Sequence, residues 1–529
     1  MADLFLLVGR QEDEIDADFV KSKFNKSTTV VSLHLPSYSQ SSGMNKEEWI
    51  HSHFQHGINL AGPDRRTNSL TLRDVVLFTI PKPKDTHLGM LQIWNSPSSV
   101  YDIDAVRIPW EEVEKDLLRK GEITSGNLKK KGWKQDSRNN QNGKNPTNFW
   151  YFSTLPGNEQ PIPTLFDAPK DPNTIPSGIE TEVIQRILLA HSSPDDDVYV
   201  WSTDDDFQPI STLCNELKRN ACLIPSGTPE PRYEFPQLFK DLGVSHTEEP
   251  MKIEITRKSS ATDTASIGSK IDENVTTVTA YIQDCRTGIQ NLKEGSISHS
   301  VTSPPYNIGY QPFNVPTQTN LGGDLVAPVR EGYEDDLMPE EYNDLLKTTF
   351  DCLHSKASEE AFELFLNIKS NYADSSCDLP FYMLKLMPEK WELLDVLIWR
   401  YDISYDPGRG KYKPLYEWVI RVGYGEVNRP KKGMMDWYIP ILKGNSSERL
   451  QLKHPAMFPR ELVRRCLKES NRDVDLLVEP FLGSGTTLAT CLEEGIDAVG
   501  YELSPVYVQD IRKRLADVKW VGQWNPKQV

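Results

Sequence analysis

Residues 302–306 read Thr302-Ser303-Pro304-Pro305-Tyr306. Proline has a fixed φ and no backbone N–H. Two in succession give a stiff main chain whose carbonyls no neighbouring strand ladder claims. A serine hydroxyl beside rigid carbonyls is a set of acceptors suited to an amino group bearing two hydrogens. Tyr306 offers a face on which a planar ring can stack. An exocyclic amine on a nucleobase matches all three features. Such an amine is a poor nucleophile because its lone pair is delocalised into the ring. Acceptors fixed on both hydrogens favour a tetrahedral nitrogen and expose that lone pair. The chemistry is positioning and electrostatic preorganisation, with no covalent intermediate.

A second constellation lies in "DLLVEPFLGSGTTLATCLEEGIDAVGYELSPVY". A strand over Leu476–Glu479 runs into the loop Phe481-Leu482-Gly483-Ser484-Gly485-Thr486-Thr487, and a helix starts at about Thr487. The next strand, Ala498–Tyr501, ends in Glu502. Glycines in such a loop let a ligand approach the backbone, and an acid at the end of the second strand accepts hydrogen bonds from ribose hydroxyls. The loop lacks the third glycine of a dinucleotide fingerprint and the lysine of a phosphate loop. A nucleoside cofactor without a phosphate chain fits it.

These residues need a scaffold. The second half alternates strand-like runs (Val278–Ile282, Phe362–Ile368, Val396–Trp399, Tyr416–Val422, Asp475–Val478, Ala498–Tyr501) with helical stretches at Glu340–Leu353 and Pro459–Lys468. That alternation predicts a mostly parallel α/β sheet. With 529 residues and 38% apolar content the chain can bury substantial cores. Residues 241–275 are rich in Ser, Thr and charge and read as a polar linker between a lobe at 1–240 and a domain at 276–529. No run approaches the ~20 apolar residues of a membrane span. "MADLFLLVGRQEDEID" has no basic n-region and does not read as a signal peptide. The seven cysteines form no CxxC pair, which suits a reducing cytoplasm without disulfides or structural zinc. "HSHFQH" at 51–56 reads as a surface histidine cluster, so no metal is expected. The formal charge of −17 argues against a nucleic-acid binder as a whole, but DNA responds to local basic patches.

Taken together, the two constellations resemble those of the amino-methylating DNA methyltransferases, over about residues 277–517. "TSPPY" resembles the family's catalytic motif in the form usual for cytosine-N4 enzymes; adenine-N6 enzymes more often carry Asp or Asn in place of the serine. "EPFLGSGTT" resembles the S-adenosylmethionine loop. "HPAMFPRELVRRCL" (454–467) resembles the segment that helps hold the methionine end. "VTAYIQDCRTGIQNL" resembles the lead-in strand whose acid, here Asp284, contacts the adenine. "VLIWRYDISYDPGRGKYKPLYEWVIRVG" resembles the strands lining the base pocket. The resemblance implies a Rossmann-like methyltransferase fold in the circularly permuted order called the beta class, with the catalytic motif first. It implies Ser303, Pro304, Pro305 and Tyr306 as catalytic residues. It further implies Asp284, Thr302, Pro455, Phe458, Glu479, Phe481, Gly483, Ser484, Gly485, Thr486, Thr487 and Glu502 as cofactor-binding residues. The chain departs from the pattern at Glu479, where the family usually has Asp, and at Gln283, where it usually has Gly. Carbon-5 cytosine methylation needs a thiolate, which in that family follows a proline, and no Pro-Cys pair occurs here.

In the first half, "TEVIQRILLAHSSPDDDVYVWSTDDDFQPISTLCNEL" (181–217) aligns with 459–495 at a shift of 278, helix on helix and strand on strand. Asp205-Asp206-Phe207 then falls where the second half has Gly483-Ser484-Gly485. Those aspartates would repel a carboxylate-bearing cofactor and lack glycine's freedom. The lobe therefore reads as a degenerate methyltransferase-like unit, with an unrelated α/β lobe or nuclease domain as alternatives. The Asp195–Asp197 and Asp204–Asp206 clusters have no lysine between them for metal-assisted hydrolysis. The lobe also carries the strongest candidate DNA footprint, "NLKKKGWKQDSRNNQNGKNPTNFW", with Lys129, Lys130, Lys131, Trp133, Lys134, Arg138 and Lys144. Cations can hold phosphates while amides read base edges. A shorter patch holds Arg429, Lys431 and Lys432. The expected partners are double-stranded DNA and a cognate restriction endonuclease, and the favoured assembly is a monomer with an internal pseudo-dimer. Three readings remain open beside a cytosine-N4 methyltransferase of a restriction–modification system: an adenine-N6 enzyme, a DNA-binding module with residual activity, and a restriction–modification fusion.

Overall fold

The computed structural model describes residues 4–9, 28–34, 71–81, 86–95, 149–150, 181–201, 204–224, 250–258, 275–305, 337, 339–369, 379–401, 414–429, 435–442, 452, 454, 457–516 and 518. In the first half these form β1 (Leu4–Gly9), β2 (Thr29–His34), β3 (Thr71–Pro81), β4 (Thr86–Asn95), β5 (Phe149–Trp150), α1 (Thr181–His191), β6 (Asp197–Trp201), α2 (Asp204–Glu216) and β7 (Asn220–Leu223). The second half holds β8 (Met251–Lys258), β9 (Val275–Ile282), α3 (Cys285–Gln290), β10 (His299–Thr302), α4 (Pro339–Lys356), β11 (Ala361–Ile368), α5 (Leu379–Leu386), β12 (Glu392–Arg400), β13 (Tyr416–Gly425), β14 (Met435–Tyr438), α6 (Arg460–Ser470), β15 (Leu477–Glu479), α7 (Thr486–Glu494), β16 (Ala498–Glu502) and α8 (Val508–Ala516).

The strands make two sheets, ordered β5-β3-β4-β2-β1-β6-β7 and β14-β12-β13-β11-β10-β15-β16-β9-β8. The seven strands of the first sheet follow the same spatial order as the first seven of the second. Directions agree as well: β1 is parallel to β2 and β6 as β10 is to β11 and β15. The pair β3–β4 is antiparallel, as is β12–β13. Each of these hairpins slips register at a Leu-x-Asp step, Leu72/Asp74 and Leu393/Asp395. Both aspartates are buried. The second sheet alone continues into β9 and, antiparallel to it, β8.

β8 lies inside the stretch that the composition marks as a linker. Its alternation of Ile253 and Ile255 with Lys252, Glu254 and Thr256 is a period-two pattern, and the eight-residue ladder to β9 uses it. The surrounding Ser/Thr-rich composition hides that short signal.

Burial follows the pleat. Leu4, Leu6, Val31, Leu33, Val76, Phe78, Leu91 and Ile93 face α1 and α2, and pack with Val183, Ile187, Leu188, Ile210 and Leu213. The opposite face of the same sheet, with Leu7, Val30, Val75, Leu77, Met90 and Trp94, belongs to the core of the second half. The Tyr416 hydroxyl on β13 donates to the Val75 carbonyl on β3 across this contact, at 2.8 Å. The two halves therefore share one hydrophobic core.

In the second half β10, β15, β16 and β9 are adjacent and parallel, so their carboxyl ends open on one edge. Beneath that edge a polar network ties the sheet to α6. Arg421 and Glu363 are fully buried and paired at 2.6 Å, Nη2 to Oε2. Ser470 donates to Glu363 Oε1 at 2.9 Å and lies 2.8 Å from His299 Nε2. Burial pushes His299 down to about 4, so its ring is neutral.

Candidate functional site

The shared edge brings together four strand ends: Thr302-Ser303 after β10, Glu479 after β15, Glu502 after β16 and Asp284 after β9. Ladder pairing of β10 stops at Thr302. Beyond it Ser303 is partly exposed, Pro304 buried and Pro305 partly exposed. The Pro305 carbonyl accepts a hydrogen bond from the Tyr342 hydroxyl on α4.

Between β15 and α7 the chain turns through Pro480–Gly485. Gly483 has φ +55 and Gly485 φ +87, both in the left-handed region that side-chain-bearing residues enter at a cost. A Cβ on Gly483 would stand 2.8 Å from His454 Nε2. His454 is fixed in turn by its own amide, which donates to Asp510 Oδ2 at 2.9 Å, and by edge contact with Tyr507. Gly485 caps the N-terminus of α7. Arg514 donates to the Thr486 hydroxyl at 2.6 Å, fastening the first turn of α7 to α8.

Three carboxylates stand at the strand ends of this edge. Glu479 is 1% exposed. Burial pushes it up to about 8, against the nearby Thr302 and Thr487 hydroxyls that pull it down. Thr487 donates to its Oε2 at 2.6 Å, whereas its Oε1 is buried without a hydrogen-bond partner. Glu502 accepts from the Gly483 amide at 2.7 Å and the Ser504 amide at 2.8 Å. Burial raises it to about 7. Asp284 caps α3, accepting the Arg286 amide, and its carboxylate is gripped by the Arg286 guanidinium at 2.7 Å. Leu503, two-thirds exposed at 66%, stands between Glu502 and Ser504 on the open edge.

The edge thus offers an orphaned buried carboxylate oxygen on Glu479, two glycines in cofactor-loop geometry and an acid at the next strand end. An ammonium group would satisfy Glu479 Oε1, and hydroxyl donors would suit Glu502. These residues fit a nucleoside cofactor carrying an amino acid.

Residues 297–513 match the N6/N4 family model described as "DNA methylase". This segment is similar to the amino-methylating DNA methylases. Type II methyltransferase M.Cfr9I of Citrobacter freundii is 44% identical over 62 residues, 12% of this chain and 21% of that protein. M.ScaI of Streptomyces caespitosus is 24% identical over 270 residues, 44% of this chain and 79% of that protein. The chain thus spans about a fifth of the length of the first of these relatives. Among solved structures, the PvuII DNA methyltransferase (cytosine-N4-specific) aligns with TM-score 0.35 and 18% identity, over 47% of this chain and 89% of its own. The M1.HpyAVI–SAM complex aligns at TM-score 0.30 and 17% identity, over 45% and 98%.

Within the matched segment the geometry gathers Thr302, Ser303, Pro304, Pro305, Glu479, Phe481, Gly483, Ser484, Gly485, Thr486, Thr487 and Glu502 at one edge, with Asp284 at the end of the neighbouring β9. Phe458 lies partly buried against the same core, just before α6. Tyr306 and Pro455 lie outside the described residues, as do Lys129, Lys130, Lys131, Trp133, Lys134, Arg138, Lys144, Lys431 and Lys432. Arg429 is described, and pairs on the surface with Glu392 at 2.6 Å. Tyr342, His454 and Arg514 were not singled out by spacing. The imidazole of His454 could have been suspected from its place in "HPAMF", whereas Tyr342 sits in a helix with no local signal.

The first half repeats the parallel strand order β2-β1-β6-β7 without a glycine loop in its sequence after β6. Only two residues separate β6 from α2, where six separate β15 from α7. Asp204–Asp206 open the helix instead of forming a loop.

Proposed function

We propose that the chain is an S-adenosylmethionine-dependent DNA methyltransferase that modifies the exocyclic N4 amine of a cytosine flipped out of duplex DNA. The observation that carries this reading is Ser303-Pro304-Pro305 at the end of β10, one strand from the glycine loop. Glu479 would hold the cofactor's ammonium, Glu502 its ribose hydroxyls, and Asp284 would lie on the adenine side. When bound, the cofactor supplies an electrophilic methyl group on a sulfonium. Ser303 Oγ and the Pro304 carbonyl would each accept one hydrogen of the target amine and hold its lone pair toward the cofactor. The target must leave the stack, because its amine is unreachable within it. Catalytic motif before cofactor loop is the permuted beta-class order.

Serine at position 303, rather than Asp or Asn, favours cytosine over adenine. Incubating unmethylated plasmid with protein and S-adenosylmethionine, followed by nucleoside mass spectrometry, tests this. N4-methylcytosine is the expected product; N6-methyladenine would reassign the target, and no methylated nucleoside would reduce the chain to a binding module. We assign the activity to the modification arm of a restriction–modification system acting in the cytoplasm.

For the first half, the repeated strand order and shared core support a degenerate methyltransferase-like lobe that gives the monomer an internal pseudo-dimer. Its basic insert around Lys129–Lys144 would grip DNA. Replacing Lys129, Lys130, Lys131 and Lys134 by Gln should weaken DNA binding and flatten its salt dependence by about one log–log unit per lost phosphate contact, leaving cofactor affinity unchanged. An unaltered salt slope would remove the lobe from recognition.

A further inference from the structure

At the tip of the Pro-Pro segment one carbonyl is held by a side chain from another element. The Pro305 carbonyl is bonded by the Tyr342 phenol, 37 residues away in sequence. Tyr342 is 3% exposed, on the first turns of α4. Two residues on, Asp344 lies 3.6 Å from Arg286, the guanidinium that grips Asp284. The opening of α4 is therefore attached both to the catalytic loop and to the acid on the adenine side. Neither proline can tether itself to a neighbour through an N–H, so the Tyr342 hydroxyl holds this part of the loop through a carbonyl instead.

We infer that Tyr342 is a positioning residue, whose hydroxyl fixes the Pro305 carbonyl. It thereby aims Ser303 Oγ and the Pro304 carbonyl at the target amine while keeping Pro305 out of substrate recognition. This role rests on the amino-methyltransferase reading above. Positioning of this kind is lost steeply, since a displacement of about 1 Å can cost on the order of a hundredfold in rate.

The test is Tyr342→Phe, which keeps the ring in the core and removes only the donor. Single-turnover methyl transfer to duplex DNA, the KM for DNA, calorimetric S-adenosylmethionine affinity and thermal midpoint are measured for variant and wild type. The expected result is a kcat lowered by about ten- to hundredfold, with KM, cofactor affinity and thermal midpoint close to wild type. A fluorescent base analogue at the target position should still report flipping in the variant. An active wild type with an equally active Tyr342→Phe overturns the assignment alone. A rate loss matched by a fallen thermal midpoint or lost cofactor binding overturns it in favour of a purely structural tyrosine. A wild type that transfers no methyl group to DNA overturns the reading of the site and this role with it.

Discussion

The Gly483 amide donates to the Glu502 carboxylate at 2.7 Å, so the glycine loop and the end of the neighbouring strand are tied together at the open edge of the sheet. On the proposed reading, a carboxylate that already holds the loop would take the cofactor's hydroxyls with little rearrangement. The same burial that places it there raises it to about 7, and raises Glu479 to about 8.

That pair of shifts gives a pH dependence with a definite sign. Ionised Glu502 is the stronger hydrogen-bond acceptor, and ionised Glu479 the stronger partner for an ammonium. S-adenosylmethionine affinity should therefore rise from pH 6 to pH 8, as both groups lose protons. In Glu502→Gln, calorimetry should show weaker binding and a smaller rise over the lower part of that range. The ligand-free protein should show the opposite trend in stability. Its folded pKa values lie above the ordinary 4.5, so the native state binds more protons than the unfolded chain between about 4.5 and 8. These two groups then contribute most below the unfolded value, and that contribution is lost as pH rises through the folded ones. A cofactor affinity that is flat with pH would remove both acids from the binding site.

At the loop itself, Gly485→Asp places a β-carbon at φ +87 and a third acid beside Glu479 and Glu502. The left-handed conformation alone costs roughly 1–2 kcal/mol. The nearest atoms to the new Cβ, on Ile511, are 3.6 Å away, so the fold should survive. Cofactor binding should vanish in a calorimeter while the circular dichroism spectrum is retained. Retained binding would place the cofactor elsewhere. Gly483→Ala should be harsher on the fold, because its Cβ meets the imidazole of His454 at 2.8 Å.

Beneath the site, Arg421→Met strands the Glu363 carboxylate in a fully buried position. Removing one partner of such a pair typically costs about 3–5 kcal/mol. Arg472 and Ser470, both bonded to Glu363 Oε1, soften that loss toward the lower figure. Urea unfolding should show it directly, and adding Glu363→Leu should restore much of the stability. A neutral single variant would mean that the remaining donors suffice.

Where the sequence was legible, the signal was local. Gly483 and Gly485 stand at positive φ because a tight turn demands it, and the prolines of 304–305 ended a strand as their missing N–H groups require. Glu363 and Arg421 interrupt the apolar strand runs "AFELFLNI" and "YEWVIRVGYG". A charge inside such a run marks a buried pair, but here the partners lie tens of residues apart and no spacing rule finds them. The same is true of Tyr342 and Pro305. β8 was hidden for another reason: its alternation is short, and only the ladder to β9 makes it a strand.

The contact between the halves carries the last prediction. Val75, Leu77, Met90 and Trp94 lie in one core with the second-half residues Tyr416, Trp418 and Val419. The hydroxyl of Tyr416 is bonded to Val75 of the first sheet. Cutting the chain at the polar stretch before residue 276 would expose that apolar face on both pieces, together with the edge of β9 that β8 covers. Exposed apolar patches of this kind drive association and aggregation. Expressed alone, a 276–529 fragment should be poorly soluble, and extending it to residue 250 should restore β8 without covering the face. Co-expressed with residues 1–240, the 250–529 piece should co-purify as a one-to-one complex and bind S-adenosylmethionine. Within the intact chain, Tyr416→Phe should cost only about 1 kcal/mol, the ordinary worth of one buried hydrogen bond, whereas Trp94→Ala should cost about 3–5 kcal/mol and lower the unfolding midpoint of both halves in one transition. A second half that folds as a soluble monomer by itself, with an unchanged thermal midpoint, would show that the shared core is dispensable.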